Sequence, residues 1–202
     1  MKKITCLLAL LTISTPTFAY DTRHETYAGF RIHKNENIAF EYDVHGASDT
    51  TLRRDNFGIG GIIGNRLSDH VAIEFETSYT GAENSNFNYD IWANMFNMYL
   101  FQEFSDAISP YAGLGIGFAS IWSDIDTVAT RFSDSTFDLS YQIMLGVNFA
   151  LNDRVDINLG IKYQYYGEIE HKLNGNEYAT STASGTEFYF GAAYKFSLDE
   201  IF

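Results

Sequence analysis

TFDLSYQIMLGVNFALNDRVDINLGIKYQYYG, from Thr136 to Gly167, is the stretch whose reading decides the fold. Alternate residues of its first half are Phe137, Leu139, Tyr141, Ile143, Leu145, Val147, Phe149 and Leu151. Between them stand Asp138, Ser140, Gln142, Met144, Gly146, Asn148 and Ala150. After Asn152-Asp153, a turn pair, Val155, Ile157, Leu159, Ile161, Tyr163 and Tyr165 resume the apolar face. Arg154, Asp156, Asn158, Gly160, Lys162 and Gln164 form the other. Apolarity of period two marks strands, and a short polar break between two such runs marks a hairpin.

Soluble strands average about 5–6 residues, and these runs are far longer. A strand tilted by about 45° needs about 9–11 residues to cross a bilayer. The hairpin fits two membrane-crossing strands, with one face in lipid and the other in a polar lumen. Taken alone it also fits a soluble sandwich or a lipocalin-like barrel, so the choice falls to the chain's ends.

Met1-Lys2-Lys3 is a short basic start, Ile4 to Ile13 is apolar, and Thr17-Phe18-Ala19 carries the small residues of a cleavage site. Residues 1–19 are expected to be a secretory signal peptide, too short to span a membrane. Cys6, the sole cysteine, leaves with it, so no disulfide framework is expected. The remaining residues, 20–202, suffice for one barrel domain. The formal net charge of −13 argues against nucleic acid as a partner, since phosphate recognition needs basic patches. An exported chain with long aromatic-rich alternating strands and no run long enough for a membrane helix points to the outer membrane of a Gram-negative-type cell.

Further strands are expected at 27–34, 55–64, 71–80, 89–102, 111–122 and 186–196. In the run from Tyr89 to Gln102, Asn94 and Asn97 cannot share a face of a regular strand, and a β-bulge would reconcile them. Polar stretches at 35–54, 81–88, 123–135 and 168–185 read as long loops, although Ile38 to Tyr42 could extend a strand above the membrane. Shorter connections alternate with them. The expected fold is all-β: an eight-stranded antiparallel up-and-down transmembrane barrel with four long extracellular loops and three short periplasmic turns.

At this point the chain resembles the opacity-type, OmpA-like eight-stranded outer-membrane barrels. The resemblance rests on Tyr111-Ala-Gly-Leu-Gly-Ile-Gly117 after Ser109-Pro110, on Leu159-Gly-Ile-Lys-Tyr-Gln-Tyr165 after the Asn152-Asp153 turn, and on Gly191-Ala-Ala-Tyr-Lys-Phe196. It covers nearly all of the exported chain. It is specific for architecture and weak for activity, because such barrels include adhesins and other surface antigens, structural anchors and narrow porin-like pores. It implies an assembly signal in a last strand that ends in an aromatic, here Phe188, Phe190, Tyr194 and Phe196. Family members usually stop at that aromatic, whereas Ser197 to Phe202 follow here as a short tail. The implied partners are outer-membrane lipid and the barrel assembly machinery, with host-cell or matrix ligands reached through the loops, and the chain is expected to be a monomer.

The alternation sends Arg31, Glu74, Glu76, Asp138, Asp156, Lys162, Glu187 and Lys195 inward, where the lumen of so small a barrel is just wide enough for side chains. A mixed-sign plug is the expectation and a narrow conducting path the alternative. His24, His33, His45, His70 and His171 form no HExxH and no close pair on one strand, so no metal site and no cofactor are expected. A lipid-modifying barrel enzyme is the third reading. His171-Lys172-Leu173-Asn174 has no Ser in register on a strand, so no catalytic residue is named.

Overall fold

The computed structural model describes residues 25–44, 50–82, 87–105, 107–126, 131–173 and 176–197. The leader at 1–19 and the tail beyond Ser197 lie outside them. The alternating runs form eight strands: β1 (Glu25–Val44), β2 (Thr50–Ser68), β3 (Val71–Ala82), β4 (Phe87–Phe101), β5 (Ile108–Asp126), β6 (Arg131–Asn152), β7 (Val155–Leu173) and β8 (Asn176–Phe196). Each pairs antiparallel with its sequence neighbour, and β8 closes the barrel on β1 from Thr26↔Phe196 to Val44↔Ala179. Closure removes the outer edge of the sheet where all eight strands are paired, so backbone donors and acceptors there are met within the wall, as lipid requires.

Side chains face as the alternation dictates. Phe57, Phe96, Leu114 and Leu145 on the outside are 70%, 67%, 60% and 61% exposed, while Arg31, Glu76, Met144 and Lys162 are buried inside. So much apolar outer surface is untenable in water and is what a lipid-facing band requires.

Four sequence expectations are corrected. First, the turn after β6 is Asp153-Arg154. Asn152 closes it by accepting the amides of Arg154 at 2.8 Å and Val155 at 2.9 Å through its side chain, the usual Asx arrangement. Second, β4 has no bulge: its pairing with β3 and β5 is unbroken. Asn97 faces in, and Asn94 faces out, where the Thr77 hydroxyl opposite donates to its side-chain oxygen at 3.0 Å. Trp92 Nε1 in turn donates to that hydroxyl at 2.9 Å. A polar pair on the outer face is tolerable because it satisfies itself.

Third, the strands run far past the expected loops. Most of 35–54 and 168–185 is paired wall, and β8 starts at Asn176 rather than near 186. At the end away from the termini only 45–49, 83–86, 127–130 and 174–175 stand between the strands. Beyond the lipid a strand can be polar or small on both faces, so period-two apolarity vanishes while the pairing continues.

Fourth, the far half of the lumen holds an apolar cluster in place of charges, beside the buried, hydrogen-bonded Asn35, Asn56 and Thr80. Ile38, Tyr89, Ile91, Met95, Ile121 and Ile169 pack there with Tyr166. The pairing of β1 shifts between Asn35 and Ile38, which turns Ile38 inward. The absence of a bulge in β4 keeps Ile91 and Met95 inward as well.

The opening hairpin also departs from its reading. β6 and β7 pair from Asn152↔Val155 to Tyr141↔Tyr165 and no further. Both strands continue, β6 paired with β5 to Arg131 and β7 paired with β8 to Leu173. Where they part, the Ser140 hydroxyl donates to the Tyr165 carbonyl at 2.7 Å. The pairing of β7 with β8 shifts between Tyr165 and Gly167, and Gly167 takes φ +133°, a conformation costly for any residue with a Cβ.

Candidate functional site: the lumen

Arg31 on β1 is the centre of the site. It is 4% exposed. Its guanidinium grips Glu74 on β3 with two bonds, Nη1 to Oε1 at 2.6 Å and Nη2 to Oε2 at 3.0 Å. The same Nη1 reaches Glu76 Oε2 at 2.9 Å and the Tyr99 hydroxyl at 3.1 Å. Nε donates to Asn158 Oδ1 on β7 at 3.3 Å. The fork geometry of arginine suits this bidentate grip, which a lysine could not reproduce. Its cation also lies over the rings of Tyr99 and Tyr189, 5.7 Å and 5.3 Å from their centroids.

The alternation in β3 puts Glu74 and Glu76 on one face with one residue between them, so a single arginine spans both. Glu74 also accepts from the hydroxyls of Tyr27 at 3.2 Å and Tyr99 at 2.9 Å. Asn97 Nδ2 donates to Glu74 Oε1 at 3.3 Å and Glu76 Oε2 at 3.2 Å, and Gln142 Nε2 donates to Asn97 Oδ1 at 2.7 Å. Across the lumen, Lys162 Nζ on β7 stands 3.4 Å from Glu76 Oε1 and 3.2 Å from Glu187 Oε2 on β8. The Tyr166 hydroxyl donates to the other Glu187 oxygen. Arg31, Glu74, Glu76, Lys162 and Glu187 thus form one continuous network across the barrel.

The other three expected members lie elsewhere. Asp156 and Lys195 make a separate pair at 3.1 Å nearer the termini, where Asn148 Nδ2 donates to Asp156 at 3.0 Å. Asp138 is not in the lumen network. It has inward parity, but its Oδ2 accepts the Glu168 amide of β7 at 2.9 Å and its Oδ1 the Leu139 amide at 2.7 Å. It fastens the place where β6 and β7 part, and its Cβ would lie 2.7 Å from a Cβ added to Gly167. Period two gives a side chain's face but not the break in pairing that draws this carboxylate into the wall.

Sequence reading missed Asn97, Tyr99 and His33 as members of the site. The first two were hidden by the uncertain phase of β4. His33 shares the inward parity of Arg31, and that was the available signal. Aromatic rings fill the remaining space. Tyr111 and Tyr189 share a hydrogen bond at 2.7 Å between their hydroxyls. Gly64 and Gly160 are inward positions where a Cβ would run into the rings of Tyr27 and Tyr189. On the terminus side of the network a cavity of about 40 Å³ is left, room for a few waters.

Phe188, Phe190 and Tyr194 face outward along β8, and the strand ends at Phe196, paired with Thr26. Among the described residues no group of three or more His, Cys, Asp or Glu could hold a metal ion.

A closed antiparallel wall, apolar outside and charge-paired within, defines a transmembrane β-barrel. The chain belongs to the outer membrane protein beta-barrel domain family, which matches residues 5–196. Its fold is similar to solved outer-membrane barrels. Neisserial surface protein A shares 17% identity, with 85% of this chain and 97% of that one covered and a TM-score of 0.51. OprG from Pseudomonas aeruginosa shares 11%, with 86% and 96% covered and a TM-score of 0.60. Ail, the attachment invasion locus protein of Yersinia pestis, shares 15%, with 86% and 99% covered and a TM-score of 0.50. Among curated proteins, none matches the chain.

Proposed function

We propose that this is a non-enzymatic surface protein of the outer membrane whose lumen is shut by its own side chains and whose far end makes contacts outside the cell. The observation that carries the closed lumen is the network of Arg31, Glu74, Glu76 and Lys162, buried and bonded across the barrel. Ions passing there would have to displace charge-assisted hydrogen bonds. The working surface is then left to the ends of the rigid wall, where binding functions usually sit.

The partner class that fits is a host-cell or matrix surface. The acidic balance of the chain, net −13, favours basic partners over polyanions. Outer-membrane lipid, the barrel assembly machinery acting on the β8 aromatics, and a monomeric state complete the proposal. Export with cleavage after Ala19 belongs to it too.

In planar bilayers the purified protein should give at most small, rare openings. Steady conductance of porin size would overturn the closed lumen in favour of the narrow-pore reading. Cells displaying the protein should bind host-cell or matrix-coated surfaces. Versions shortened at 45–49 and 127–130 should lose that binding while keeping a heat-resistant fold. Unchanged binding would move the function off the far end.

A further inference from the structure

One buried ring in the lumen stands between two carboxylates without belonging to the network. His33 is 2% exposed. Its Nε2 lies 3.4 Å from Glu76 Oε1, and its Nδ1 lies 3.3 Å from Glu187 Oε2. Neither nitrogen has the alignment of a hydrogen bond. A neutral imidazole has one N–H and one lone pair. Facing two carboxylates, it turns that lone pair toward a negative oxygen whichever tautomer it takes. The imidazolium carries an N–H on both sides, and a small rotation of the ring would complete both bonds.

The surroundings give the same answer. Glu76 faces the ring from β3 and Glu187 from β8, with Lys162 from β7 touching both carboxylates. Arg31, on the ring's own strand, holds Glu76 from the other side. Tyr189 of β8 is the aromatic neighbour, its ring centroid 6.4 Å away, and Tyr166 of β7 donates to Glu187. On β2, a Cβ added at Gly60 would lie 3.2 Å from Nε2. Two permanent cations, Arg31 and Lys162, therefore meet three carboxylates, Glu74, Glu76 and Glu187. A proton on His33 makes the count even.

We propose that His33 is a proton-operated latch on the lumen, a reading that rests on the closed-lumen function above. With the proton bound, the ring ties Glu76 to Glu187 and the network is neutral. With the proton lost, a buried negative charge is uncompensated and the tie is gone. The closed state binds one proton more than the loosened one, so lowering the pH favours closure and raising it favours opening.

The test uses the whole folded protein in lipid. Openings in planar bilayers should become several-fold more frequent, and heat resistance on gels should fall, as the pH is raised stepwise over the range in which the barrel stays folded. His33→Gln should be insensitive over that range and should behave at every pH as the wild type does at its alkaline end. Should His33→Gln not fold, nitrogen NMR of the imidazole in the wild-type chain replaces it, and the ring should lose its second N–H over the pH range in which openings rise. A lumen equally closed and equally heat-resistant at every pH would overturn the latch and leave the plug standing. So would a wild-type pH slope in His33→Gln, or a ring that titrates without effect. Porin-size conductance at every pH would instead overturn the closed-lumen reading beneath it.

Discussion

The two halves of the lumen differ in charge: one is an ionic network, and the other is an apolar cluster with a few neutral hydrogen bonds beside it. Around Arg31 the side chains are charged, and every carboxylate of the network has a cation within 3.4 Å. Toward the far end Ile38, Ile91, Met95, Ile121 and Ile169 are packed as in a soluble core. The charged half gains little net stability, because desolvating the ions offsets most of their attraction. What it gains is dependence of each member on the others. The apolar half has no such dependence, since loss of one side chain leaves a cavity but no stranded charge. The wall changes at the same place. Beside the charged half β6 and β7 are hydrogen-bonded, whereas beyond Tyr141↔Tyr165 they part and side chains of Ser140 and Asp138 take over.

The largest expected effect probes that dependence. Arg31→Ala strands Glu74 and Glu76 inside the barrel and should cost about 3–5 kcal/mol, the usual loss when one partner of a buried pair is removed. Urea unfolding from lipid vesicles measures it. Replacing Arg31 and both glutamates together by Met and Leu of similar volume should restore most of the loss. A triple variant as unstable as Arg31→Ala would show that the charged half stabilises in its own right, and the contrast between the halves would fail.

Next comes depth in the wall. Leu159 lies near the middle of the outer apolar run from Val155 to Tyr165 and is 45% exposed there. Phe137 also faces out, but on the stretch of β6 that β7 no longer pairs, stacked on Phe118 with centroids 5.2 Å apart. Leu159→Arg should cost about 2–4 kcal/mol, and Phe137→Arg about 0–1 kcal/mol, if the parting of the strands coincides with the membrane surface. Equal penalties in a lipid-refolding titration would place the parting inside the hydrocarbon, where unpaired backbone is not tolerated.

What was legible in the sequence follows from the same geometry. Within the lipid, one face of a strand is apolar and the other is not, so the facing of Ile59, Leu114, Ile143 and Leu159 could be read directly. The inward set from Arg31 to Lys162 came with it, because parity alone fixes the side of the wall. Outside the lipid that contrast ends, and Thr180, Thr182 and Ser184 look like loop although they are paired strand. Register was not legible either. Nothing in the alternation shows that β6 and β7 stop pairing at Tyr141, or that β1 shifts between Asn35 and Ile38. These breaks took Asp138 out of the expected lumen set and turned Ile38 into the far lumen.

The smallest effect concerns the parting itself. Asp138 is the farther of the two side chains that hold β7 to β6 where backbone pairing ends, accepting the Glu168 amide at 2.9 Å. Its partner is exposed, so water can replace the lost bond, and Asp138→Ala should lower global stability by no more than about 1 kcal/mol. The local effect should be larger than the global one. Hydrogen exchange at Glu168 should speed up several-fold, while amides at Leu145 and Ile161, deep in the paired stretch, stay unchanged. Asp138→Asn keeps one acceptor oxygen and should fall between the two. Should Asp138→Ala leave the Glu168 amide as slow as before, the side chain is not what fastens the strands. Should it speed exchange along all of β7, the parting is coupled to the charged half, and the two halves of the barrel form a single cooperative unit.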